Sequence, residues 1–229
     1  MLKIDDSLEE ITLITASEKL VCLATNNYLV RICSVFGIQR GVLSIPGPPV
    51  SLSSHQDSLL VSYHSAPVRK SDQCINTKLI KFSGLTMESR DINAALGPES
   101  TLLWLGFTDL GTPAMMDSLG MISLHPTNQN IWVPFCDTTR HLKSPSDGFF
   151  VTAIMESCQT IFGIKCRGSI YTGFTPKPTI CEFVIEPTFA EPETDKTQLE
   201  MNLFAWSNLE VRDLGKKFNE SGLKAFAVS

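Results

Sequence analysis

Apolar pieces of four to eight residues, each closed by a turn group, recur along this chain. The first run is "ITLITASEKLVCLATNNYLVRICSVFGIQRGVLSIPG". It divides into pieces at about 10–14, 20–25, 28–35 and 41–45, separated by Ala16–Ser17–Glu18, Asn26–Asn27 and Gly37 with Ile38–Gln39. Each is rich in Val, Ile and Leu, as strands are. The cadence restarts at "VSLSSHQDSLLVSYHS", at "TLLWLGFTDLGTPAMMDSLGMISLH" and at "FFVTAIMESCQTIFGIKCRG". The starts, near 10, 50, 101 and 149, lie roughly 40–50 residues apart, the length of one four-stranded propeller blade. The expected fold class is therefore all-β, a partial β-propeller of about four four-stranded blades, with a short C-terminal helix. The blades are expected at 8–46, 49–92, 101–140 and 149–190, within a propeller unit of 1–194.

Local chemistry agrees with that layout. Strands covered on both faces read as continuous apolar runs, as "LLWLGF" does. In "TDLGTP", Gly111 can take a positive φ and Pro113 is restricted to a strand start or edge. Asp117 to Gly120 reads as a tight hairpin, with Gly120 at its left-handed position. Thr25-Asn-Asn-Tyr28 occupies the corresponding place in the first unit. Trp104 and Trp132 fall inside expected strands and read as core or inter-blade packing. After "EPTFAEPETDKTQLE", an acidic connection, Leu199, Leu203, Trp206 and Leu209 stand at helical spacing, so 195–229 is expected to be a helical or disordered tail.

Composition removes several function classes. A formal net charge of −5, with basic clusters no longer than Arg69–Lys70 and Lys216–Lys217, does not suit a duplex-binding face, which needs several clustered Lys or Arg. No stretch approaches the ~18–20 apolar residues of a membrane span. "MLKIDDSLEE" carries acids where a secretory peptide carries basic residues. The seven cysteines form no C-x-x-C pair and read as reduced thiols.

Catalytic patterns are equally thin. Cys136, Asp137 and His141 make a tight trio, but a closed zinc site needs four donors and no second pair has suitable spacing. Nucleophile elbows and phosphate loops do not occur. Asp72, Asp109, Asp117, Asp137 and Asp147 sit at turns, where Asp is favoured for bonding nearby backbone. Neither a cofactor nor a metal is expected, and the expectation is a non-enzymatic binding scaffold. An unrelated propeller scaffold, or a propeller enzyme or ligand binder using the central channel, remains the alternative.

The strings "NNYLVRICSVFGIQRGVLSIPGPPV", "LVSYH", "SDQC", "LLWLGFTDLGTP", "DSLGMI", "IWVPFCDTTRH" and "PKP" occur in order over roughly residues 20–208. They resemble the middle (SepB-type) propeller of the chromosome-transmission-fidelity, minichromosome-loss and acidic nucleoplasmic DNA-binding protein family. The matching positions include Arg31, Gly37, Gly47, Pro48, Asp72, Gln73, Trp104, Gly106, Phe107, Gly111, Pro113, Asp117, Gly120, Trp132, Pro134 and Pro178. The resemblance implies a six-bladed, homotrimeric, nuclear hub in DNA replication and sister chromatid cohesion. Its implied partners are DNA polymerase alpha–primase and the replicative helicase complex, with DNA met only indirectly through this segment. About four blade units are visible against the family's six, so the resemblance implies a fragment, a shortened isoform or an incomplete gene model. An open arc of blades would then be expected, with exposed apolar end faces and poor solubility.

Overall fold

The computed structural model describes residues 9–69, 72–84, 86–126, 130–173 and 177–186. They form four antiparallel sheets in a propeller arrangement. The first holds β1 (Ile11–Ala16), β2 (Leu20–Thr25), β3 (Leu29–Ser34) and β4 (Gln39–Ser44), in that spatial order. The second holds β5 (Pro49–His55), β6 (Ser58–His64), β7 (Ile75–Ser83) and β8 (Thr86–Ile92). The third comprises β9 (Leu102–Phe107), β10 (Pro113–Asp117), β11 (Met121–Leu124) and β12 (Val133–Asp137). The fourth has β13 (Gly148–Met155), β14 (Thr160–Cys166) and β15 (Ile180–Val184), three strands among the described residues. The expected tail helix lies outside the described residues.

Every sheet is a meander in which each strand pairs antiparallel with the next. The inner strands lead the blades, and β1 lies against β5 and β5 against β9. Adjacent sheets share three apolar cores. Leu20, Cys22, Ala24, Val30 and Ile32 of the first blade meet Leu59, Val61, Tyr63 and Ile80 of the second. Leu60, Leu79 and Ile92 meet Leu105 and Met115 of the third. Ala114, Met116, Ile122 and Leu124 meet Phe149, Val151, Ile154 and Ile161 of the fourth.

This arrangement follows from strand period. Along β6, Leu59, Val61 and Tyr63 turn to the first blade while Leu60 turns to the third, so every residue from Leu59 to Tyr63 is buried. All five residues of β10 are buried for the same reason, Met115 facing back and Ala114 and Met116 facing forward. Full burial of a Leu or Val side chain contributes about 1.5–3 kcal/mol, so these second strands carry much of the sheet-to-sheet adhesion. The continuous apolar run of "LLWLGF" is β9, only partly covered; the strand enclosed on both faces is its neighbour β10.

Two local features differ from expectation. Trp132 precedes β12 rather than lying within it, and it packs beside Leu102 and Phe107 against the second-to-third core. A 3₁₀ turn, η1 (Thr138–His141), follows β12, started by Asp137 Oδ1 accepting the Thr139 N–H at 2.9 Å.

Candidate interaction surfaces

Most of the residues that carry the sequence resemblance sit at turns and at joints between strands and blades. Gly47 is buried in the crossover between the first and second blades, where an added Cβ would stand 2.0 Å from the His64 carbonyl oxygen. The neighbouring Pro48 carbonyl accepts the His64 N–H at 2.9 Å. Asp72 Oδ1 accepts the Glu99 N–H at 2.6 Å and Gln73 Oε1 the Leu102 N–H at 2.7 Å, tying the second blade to the chain entering the third. Glu99 has a φ of 55°, an uncommon conformation for a residue with a side chain, and the Asp72 bond helps hold it.

Within the third blade, a Cβ on Gly106 would meet the Trp104 indole at 2.4 Å, so the glycine makes room for that ring. Trp104 packs against the third-to-fourth core and Phe107 against the second-to-third, where its ring lies 5.7 Å from His55. Gly37, Gly111 and Gly120 all have positive φ. Gly120 donates its N–H to the Asp117 carbonyl at 3.1 Å, and Tyr28, φ 60°, donates to Thr25 in the equivalent turn of the first blade at the same distance. Pro113 opens β10, its carbonyl accepting the His125 N–H at 2.8 Å. Pro134 stands opposite Ser123 at a register shift. Arg31 pairs with Glu9, whose carboxyl is held below its ordinary range chiefly by the guanidinium hydrogen bond. Pro178 lines an open cleft.

All five turn aspartates accept backbone N–H groups. Besides Asp72 and Asp137, Asp117 Oδ1 takes Leu119 and Met121, Asp147 Oδ1 takes Gly168, and Asp109 Oδ1 takes Glu156. The trio of possible metal ligands is divided among other roles: Cys136 is in the core, Asp137 starts η1, and His141 stacks on Phe183 at 4.0 Å. Burial raises the Cys22 thiol to about 12 and the Cys136 thiol to about 11, so neither supplies a thiolate near neutrality.

Ties that the sequence does not announce join neighbouring blades at the end carrying the first hairpin of each. Ser17 Oγ donates to the Gln56 carbonyl, and Lys19 pairs with Asp57. Asp109 also receives the Ser157 hydroxyl, while the Thr108 hydroxyl donates to buried Glu156 at 2.8 Å. Two kinds of surface remain for recognition. One is apolar: the hairpin tip Val35, Phe36 and Ile38, with Phe36 88% exposed, and the outer face of the fourth blade, with Ile180 and Val184. The other is a basic cleft of about 970 Å³ beside the start of β15.

Known proteins resemble this chain in sequence. Residues 1–187 match the family described as "Minichromosome loss protein, Mcl1, middle region". The chain is 33% identical over 194 residues to WD repeat and HMG-box DNA-binding protein 1 of Xenopus laevis, covering 84% of this chain and 17% of that protein. The Homo sapiens protein of the same name is 31% identical over 197 residues, with the same two coverages. Protein ENHANCER OF LHP1 1 of Arabidopsis thaliana is 25% identical over 218 residues, covering 94% of this chain and 22% of that protein. The chain thus spans about a sixth of the length of the animal relatives.

Proposed function

Because the chain belongs to the family of the minichromosome loss protein middle region, we propose that it acts as a non-enzymatic, protein-binding propeller unit of a replisome adaptor. The single observation behind this reading is the family match over residues 1–187, which takes in all four sheets. The geometry supports it: Asp72, Gln73, Gly47 and Gly106 brace turns and blade contacts, leaving edges, tips and outer faces as recognition surfaces. In such interfaces a few buried aromatic or aliphatic anchors supply most of the binding energy. Phe36 is an anchor of that type.

On this reading the partners are DNA polymerase alpha–primase and the replicative helicase complex, the site of action is the nucleus, and the assembled form is a homotrimer that also serves sister chromatid cohesion. The propeller unit of 1–194 and its blade divisions belong to the same proposal. Affinity purification of the tagged chain from replicating cells, beside a tagged full-length relative, tests it. Recovery of polymerase alpha–primase or helicase subunits with both baits supports the assignment. Recovery with the relative alone overturns it for this chain, and sedimentation equilibrium of the purified chain decides the trimer.

A further inference from the structure

We propose that the cleft at the fourth blade, where β14 ends and β15 begins, is a docking site for an acidic peptide segment that also carries apolar side chains. The inference stands apart from the replication reading and needs no particular partner.

Charge is the first argument. Across the chain acids outnumber Lys and Arg by 24 to 19. Among the described residues lining this cleft the balance reverses: Lys143, Lys165, Arg167 and Lys177 stand against one acid, Asp147. That carboxylate is engaged by the Gly168 N–H at 3.0 Å. The ion pairs among the described residues, Lys19–Asp57, Arg31–Glu9 and Lys78–Asp91, use none of the four cleft cations. Like charges gathered around one concavity raise its potential and draw anions to it.

Shape and lining narrow the ligand class. The cleft volume, about 970 Å³, is at the upper end of the range for pockets that enclose a small molecule, about 300–1,000 Å³. Its cations come from three separate places, the segment after η1, the end of β14 and the approach to β15, so they frame the cavity instead of forming one stripe. Between them lie apolar groups, among them Ile164 and the exposed ring of Tyr171. A peptide with interspersed Glu and Leu satisfies both kinds of lining, its carboxylates meeting the cations and its apolar side chains meeting Ile164 and Tyr171. A duplex backbone suits it less, because duplex affinity comes from neutralising many phosphates with Lys and Arg along the helix, whereas the four cations of the described lining frame one concavity.

The test is fluorescence anisotropy of a fluorescein-labelled Glu/Leu/Ser peptide titrated with the full chain. Saturable binding is expected, lost when Gln replaces Glu in the peptide. The double variant Lys165→Glu/Arg167→Glu is expected to weaken binding at least about tenfold, since like charges facing each other across an interface are strongly disfavoured. Lys143→Glu/Lys177→Glu makes the same test outside the sheet, and Lys81→Glu on β7 should leave affinity unchanged. Circular dichroism melts establish that each variant is folded. Equal binding of the Gln peptide, tighter binding of an oligothymidylate, unchanged affinity in both folded double variants, or no saturable binding would each overturn the proposal.

Discussion

Substituting Gly47 by Ala isolates one contact that governs how the second blade leaves the first. The new Cβ would be placed 2.0 Å from the His64 carbonyl oxygen and 3.2 Å from its carbon. Real Cβ contacts essentially never fall below 3.0 Å, so crossover and strand end must part by about 1 Å. The obstacle is backbone, so no rotamer change relieves it. Parting them strains the bond from the His64 N–H to Pro48, 2.9 Å long, which is worth about 1 kcal/mol. It also shifts Ile45 and Tyr63 within the first-to-second core, and overpacking of that kind costs about 1–3 kcal/mol. The expected loss is thus about 2–4 kcal/mol, which lowers Tm by about 5–15 °C in a chain of this size. Thermal denaturation followed by circular dichroism measures it. Gly41→Ala on β4 is the control, because its Cβ would meet nothing within 4 Å. Equal melting of the two variants would refute the steric argument.

Three further outcomes follow from buried or bridging groups. His125 is buried against the edge of Trp132, at 5.2 Å between centroids, and desolvation, with a smaller contribution from Arg90, holds its pKa below the ordinary value. The unfolded chain therefore takes up a proton first as pH falls through about 6.5, and stability drops from there toward the lower folded pKa, by at most ~1.4 kcal/mol per pH unit; urea midpoints should show that slope in the parent and lose it in His125→Leu. Cys22 and Cys136, with thiols near 12 and 11, should resist iodoacetamide at pH 8 until the chain is denatured, while exposed Cys158 is alkylated in the native protein, as peptide mass mapping would show. Asp109→Ala removes the acceptor for the Glu156 and Ser157 N–H groups between the third and fourth blades, a loss of about 2 kcal/mol, whereas Lys19→Ala breaks only an exposed pair and should cost less than about 1 kcal/mol in chemical denaturation.

What the sequence revealed was local, and what it hid was distant. The turn at Thr25–Tyr28 was readable because its neighbours alternate as strands do, even though Tyr28 adopts the positive φ that Gly120 takes more easily. The aspartates were readable because each stands at a break in the apolar pattern and bonds backbone across it. Trp132 was misplaced by one position because an apolar run does not mark where ladder bonding begins. The blade-to-blade ties left no local signal: Arg40 donates to the Gly84 carbonyl, 44 residues away, and Asp109 reaches Glu156 across 47. The cleft was hidden likewise, since Lys143, Lys165, Arg167 and Lys177 are scattered along the chain and meet only after two strands have folded back.

The first and fourth sheets differ in their outward sides. Among the described residues, β14 alternates as far as Ile164, with Ile161 and Gly163 buried and Phe162 and Ile164 more open, whereas the equivalent β6 and β10 are buried almost throughout. A second strand keeps that alternation only where a single sheet covers it. Its outward side continues through Phe150, Ile180 and Val184, with Glu182 between the last two. The first blade differs. Leu23 and Cys33 on its outer side are buried, and Arg31 lies between them and is held by Glu9. An apolar sheet face gains free energy by leaving water, whereas a bonded ion pair gains little from a new neighbour. The outward sides of the first and fourth sheets thus differ in what a contact could gain, the apolar positions of the fourth more than the ion pair of the first.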